Sequence, residues 1–150
     1  MLKRNIITIS LIIFLTSCGF TPIYLNNNDV NFSIEKVNFA GDRELNNFLM
    51  INLDKYKNKK NDNKIIIDAE SKYKKNILSK DNTGEVTSYK LEVEVIFSIK
   101  PTNRIIKISE NKIIDSMDDK FEESRYERSI KKSFASSISN KLSSELMFNQ

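Results

Sequence analysis

The chain predicts an α+β two-layer sandwich, with two helices packed on one face of a four-stranded, mostly antiparallel sheet in the order β-α-β-β-β-α. Three observations carry that prediction. Two segments have apolar residues at helical spacing; long alternating stretches are separated by turn signals; and the clearest of those stretches has one apolar face only. Residues 32–150 hold all these elements and are long enough for one domain with one core.

The first extended stretch is Phe32 to Phe39, where Phe32 and Ile34 fall on one face and Val37 and Phe39 on the other by simple alternation. The change of face predicts either a bulge or a strand buried on both sides. After Gly41, Asp42 is placed to cap a helix. Leu45, Phe48, Leu49, Leu53 and Tyr56 then follow at helical spacing up to the polar run 57–63.

Lys64 opens a second extended stretch that runs through Tyr73 and Ile77 to Leu78, and Asp81-Asn82-Thr83-Gly84 reads as a hairpin turn. In the third, Thr87, Tyr89, Leu91, Val93, Val95, Phe97 and Ile99 alternate with a largely polar set, so one face is core and the other wet. Pro101-Thr102-Asn103 is a second turn, and a fourth strand runs from Arg104 to Ile114. The three long strands form an antiparallel meander. The last segment opens on Asp118, Asp119, Glu122 and Glu123 and spaces Tyr126, Ile130, Phe134, Ile138, Leu142 and Leu146 by four, the pattern of a long helix with acid at its N-terminus.

Ahead of this domain lie Lys3 and Arg4, an apolar run from Ile6 to Leu15 too short for a permanent membrane span, and then Leu15-Thr16-Ser17-Cys18. This is the anatomy of a bacterial lipoprotein signal peptide, residues 1–17, cleaved before a cysteine that has received diacylglycerol. A free buried thiol or a transmembrane anchor fits less well, because Cys18 is the single cysteine and the apolar run is short. With ~0.8 kcal/mol per buried CH2, two or three acyl chains of palmitate length hold a protein on a membrane. Residues 18–31 then form the lipidated N-terminus and tether. Gly19 follows the cysteine, where Asp commonly retains lipoproteins in the inner membrane of enterobacteria, so the expected location is the periplasmic side of the outer membrane.

The signal segment takes two of the 24 basic residues and none of the 20 acidic ones, so the formal charge of +4 falls to +2 in the mature chain. Nucleic acid is not an expected partner of an exported chain so nearly neutral. With no His, no Trp and its cysteine committed to lipid, the chain lacks the usual ligands for zinc, haem or iron–sulfur clusters, and three glycines leave no phosphate loop. No cofactor is expected beyond the lipid on Cys18. An enzyme is not expected either. Asp68, Glu70, Glu92 and Glu94 could pair as acid and base, but Glu92 and Glu94 beside Lys90 read as an ordinary charged ladder, and without His there is no conventional triad.

The run Cys18-Gly19-Phe20-Thr21-Pro22-Ile23-Tyr24 resembles the Cys-Gly-Phe-x-Pro-Leu-Tyr opening of the LptE family of lipopolysaccharide-assembly lipoproteins, with Ile23 where Leu is usual. Length and opening motif are similar to the short alphaproteobacterial forms. The resemblance implies two helices against a four-stranded sheet, a partner in the LptD β-barrel, in which such proteins sit as a plug, and a role in delivering lipopolysaccharide to the cell surface. On that reading Gly19, Phe20, Pro22 and Tyr24 set where the lipid anchor leaves the domain; otherwise they only pin the chain start.

Binding of lipopolysaccharide, also implied by the resemblance, would need basic side chains opposite phosphates and sugar acids. Lys72, Lys74 and Lys75 on the second strand, and Lys100, Arg104 and Lys107 around the second turn, are the candidates. The plainer reading of each is a solvated sheet edge guarded by lysine. Lys131 and Lys132 read as helix-surface charge. The rival function is another non-enzymatic outer-membrane lipoprotein, such as a lipid-transport auxiliary or binding module.

Overall fold

A computed structural model describes residues 31–57, 59 and 62–148. Cys18 and the motif residues Gly19, Phe20, Pro22 and Tyr24 lie outside the described residues. Within them the order is β1 (Ser33–Gly41), α1 (Arg43–Leu53) with a 3-10 turn (Asp54–Tyr56), β2 (Lys64–Lys80), β3 (Val86–Lys100), β4 (Arg104–Asp115) and α2 (Lys120–Phe148). The sheet order is β1-β2-β3-β4; β1 and β2 are parallel and the other pairs antiparallel. The α+β sandwich is the one the periodicity predicts.

The face change in β1 is a bulge. Ile34 pairs with Ile65 and Lys36 with Ile66, leaving Glu35 as the extra residue, so Val37 and Phe39 come opposite Ile67 and Ala69. One inserted residue in a period-two strand flips every later side chain. Simple alternation put Phe32 and Ile34 opposite Val37 and Phe39; the bulge returns all four to the core side, where Phe32 and Ile34 are buried and Val37 and Phe39 pack against the cluster.

At the end of β1 the chain turns into α1 against Ser71. Gly41 has φ +96°, and a Cβ there would stand 1.8 Å from the Ser71 carbonyl oxygen, so glycine is required on both counts. The Ser71 carbonyl accepts from the Asp42 amide at 3.2 Å, and the Asp42 carboxylate in turn caps α1 by accepting from the Leu45 amide at 2.8 Å. Leu45, Leu49 and Leu53 then face the sheet, and Tyr56 closes the 3-10 turn over Phe32, ring centroids 5.6 Å apart.

β3 is the central wall of the core, with Leu91, Val93, Val95, Phe97 and Ile99 all buried on one side. α2 covers it with Phe134, Ala135, Ile138, Leu142 and Leu146, and Asp119 caps its start by accepting from the Phe121 and Glu122 amides. The buried stripe does not continue at strict spacing of four. Each step of four overshoots a turn of 3.6 residues by 40°, so Tyr126 has rotated out to 39% exposure and Glu123 occupies the inward position instead.

Candidate functional site

Strand register divides the six basic candidates between two faces. On β2 the residues Ile67, Ala69, Ser71, Tyr73 and Lys75 look toward the helices, and Asp68, Glu70, Lys72 and Lys74 look away from them. Lys107 pairs across from Ile96, and Lys100 from Ile66, on the away side; Arg104 lies opposite Ile99 on the helix side. The open face therefore carries Lys72, Lys74, Lys100 and Lys107 together. Lys75 and Arg104 belong to the covered face.

The open face is a ladder of charge pairs. Lys100 contacts Asp68 at 2.7 Å, Lys72 contacts Glu70 at 3.1 Å, Lys90 contacts Glu92 at 2.7 Å and Lys107 contacts Glu94 at 2.7 Å. Amides join in: Asn38 donates to Asp68 and Asn76 to Glu92, both at 2.7 Å. The Asn38 amide, then Lys100, lower the Asp68 pKa; Lys90 does the same for Glu92 and Lys107 for Glu94, with Lys74 adding to the last two. Glu92 and Glu94 are thus held ionised and are poor general acids near neutrality. Lys72, Lys74, Glu92, Glu94, Ser109 and Asn111 border a shallow cavity of about 300 Å3 at the centre of this face.

Exposed pairs of this kind contribute only ~0–1 kcal/mol each, so their lysines can exchange a carboxylate for another anion at little cost. Lys75 is different in kind. Its ammonium contacts Glu123 at 2.8 Å and Glu127 at 3.0 Å and lies 4.2 Å from the Tyr89 ring centroid, beneath the N-terminal half of α2. Burial opposes its charge, but the two carboxylates outweigh burial and raise its pKa. Arg104 is joined to Glu145 at 2.7 Å and to the Glu145 carbonyl at 3.0 Å, tying the start of β4 to the end of α2.

Sequence reasoning missed the polar knot around Lys75. Glu123 is buried and accepts from Lys75, from Lys120 at 3.1 Å and from the Met117 amide at 3.0 Å; Lys75 chiefly pulls its pKa down to about 2. Tyr73 donates to Glu127 at 2.8 Å, and burial followed by that carboxylate pushes its phenol above the usual range. Lys131, read as helix-surface charge, lies instead between α2 and α1, 3.1 Å from Glu44 and 4.1 Å from the Tyr73 ring centroid. Lys132 is exposed, as expected. The signal for the knot was available: following the stripe back from Phe134 in steps that average 3.6 reaches Glu127 and Glu123.

Among the described residues no helix is long and apolar enough to cross a membrane, and no group of three or more Asp, Glu, Cys or His side chains could hold a metal.

No protein-family model matches the chain, and no curated protein matches it in sequence. Solved structures do match in fold. The rare lipoprotein B of Shewanella oneidensis superposes with a TM-score of 0.53 at 15% identity, over 75% of this chain and 90% of that one. Lipoprotein B of Nitrosomonas europaea gives 0.54 at 16% identity over 79% and 86%, and a minor lipoprotein of Acinetobacter baumannii 0.51 at 13% over 74% and 94%. The shared class is a two-helix, four-strand α+β sandwich, and at these identities the likeness is one of fold.

Proposed function

We propose that this chain is a lipid-anchored outer-membrane protein that plugs an LptD-like β-barrel and assists assembly of lipopolysaccharide at the cell surface. The observation that carries this reading is the open sheet face. Neither helix covers it, and it presents a laterally paired Lys–Glu–Asn ladder, the kind of surface that matches the polar interior of a wide barrel. The opening motif from Cys18 to Tyr24 and the fold shared with proteins named as lipoproteins support it. On this reading the chain makes and breaks no bonds. Its lipid tether holds the sandwich beside the barrel, and Lys72, Lys74, Lys100 and Lys107 offer exchangeable cations to phosphate groups.

The test is purification from the native membrane in mild detergent. A large β-barrel is expected to accompany the chain stoichiometrically, and Cys18→Ala is expected to abolish incorporation of labelled fatty acid. Recovery of the chain without a barrel would sink the reading in favour of a barrel-independent binding lipoprotein. Label still entering the Cys18→Ala variant would sink the anchor.

A further inference from the structure

The two ends of the sandwich differ in charge. The described chain starts at Asn31, and around that start lie the 3-10 turn, the openings of β2 and β4 and the last turn of α2, which Arg104 ties to β4 through Glu145. This tether end carries Lys57, Lys59 and Lys64. Lys59 and Lys64 have no carboxylate partner among the described residues and border, with Ser33, Ile34 and Glu35, a shallow cavity of about 240 Å3. Lys57 shares only an exposed pair with Asp54 at 3.1 Å, and Phe148, at the end of α2, is 81% exposed. The far end instead holds Asp81 and Glu85 in the turn between β2 and β3, and Asp115, Asp118 and Asp119 ahead of α2.

Covalent reach decides which end meets lipid. Fully stretched at ~3.6 Å a residue, the chain from Cys18 to Asn31 reaches about 47 Å. β2 alone, 17 residues at ~3.3 Å each, is about 55 Å long and ends at the hairpin. A domain hung from a lipid on Cys18 therefore cannot stand on its hairpin, because its own start would lie beyond the reach of the tether. Anionic headgroups also attract the basic end and repel the acidic one, so charge and reach favour the same orientation.

We propose that the tether end is a membrane-contact surface, at which Lys57, Lys59 and Lys64 bind phosphates of anionic phospholipid in the leaflet that carries the Cys18 lipid, and Phe148 enters the headgroup layer. The proposal rests on the lipid anchor of the function proposed above. It is compatible with the plug, since the open sheet face and the hairpin end stay free to enter a barrel lumen while the tether end remains at the periplasmic mouth, level with the headgroups. Each ammonium held within a Debye length of an anionic surface tightens binding several-fold, and salt weakens that attraction.

The mature chain carrying Cys18→Ala has no lipid, so its sedimentation with vesicles reads the protein surface alone. It is expected to bind vesicles of mixed phosphatidylglycerol and phosphatidylcholine about tenfold or more tighter than phosphatidylcholine alone, and to be released by salt. Changing Lys57, Lys59 and Lys64 together to Gln should lose about tenfold or more of that binding with the circular dichroism unchanged, and Phe148→Ser should lose several-fold. The same change at Lys80, Lys112 and Lys132, three exposed lysines elsewhere, should lose less than about twofold. Equal losses from the two triple variants, equal binding to both kinds of vesicle, or release by inorganic phosphate but not by chloride of the same ionic strength would each overturn the proposal. In the lipidated protein, a fluorophore on Thr102→Cys should be quenched by headgroup-labelled phosphatidylglycerol several-fold more than one on Thr83→Cys; the reverse order would overturn the orientation. Failure of the anchor itself is read separately, by the fatty-acid label.

Discussion

Glu123 shows how much one side chain's surroundings decide. Its carboxylate is buried, yet Lys75 and the Met117 amide hold its pKa at about 2, below the ordinary value of 4.5. A depressed folded-state pKa contributes stability above the unfolded value and loses it as pH falls. Unfolding by urea is therefore expected to become easier from about pH 4.5 down towards 2, and Glu123→Gln should flatten that acid limb. Lys75→Met removes one of the two ammonium groups on the buried carboxylate, leaving Lys120, and should cost ~1–3 kcal/mol, with the double variant recovering part of the loss. Equal acid limbs in the parent and Glu123→Gln would remove Glu123 from this role. Glu123 read as one of several acids near a helix start, although a step averaging 3.6 residues turns it inward; Lys75 read as one of three neighbouring strand lysines and gave no signal, because burial of a charge is set by what packs above it.

At the scale of elements, β1 is held in register by one extra residue. Glu35 is itself exposed, so Glu35→Ala is expected to change stability little. Deleting Glu35 is another matter: the strand must then turn either Phe32 and Ile34 or Val37 and Phe39 out of the core. At ~1.5–3 kcal/mol for each large apolar side chain, the first choice forfeits ~3–6 kcal/mol, a large part of the stability of a domain this size. Thermal denaturation of the two variants checks it; a deletion as stable as the parent would mean the bulge is not what sets register. The helices, turns and long strands were legible from periodicity and turn residues, down to the cap at Asp42. The inward path of α2 was legible only in part, since strict spacing by four drifts around the helix and carries Tyr126 away from the core.

For the whole molecule, the sandwich separates two kinds of lysine that are adjacent in the chain. Lys72 and Lys107 stand on the open face in weak, solvent-exposed pairings and Lys74 stands near Glu92 and Glu94; on the proposed function, the joint change of all three to Ala is expected to weaken binding of lipopolysaccharide several-fold while leaving the fold intact. The matched removal of three exposed charges off this face, Lys55, Lys112 and Lys132, should leave binding nearly unchanged. Equal losses measured by the two titrations would reduce the open face to diffuse charge. The sequence by itself determined the element order, the apolar face of β3 and the expectation of a lipid on Cys18, because periodicity, turn chemistry and a signal segment are local properties of the chain. Only the tertiary structure decided which lysines share a surface, that β1 is bulged and that Lys75 meets Glu123 beneath α2. Those follow from strand register and from which helix covers which residues, and both depend on contacts between segments far apart in sequence.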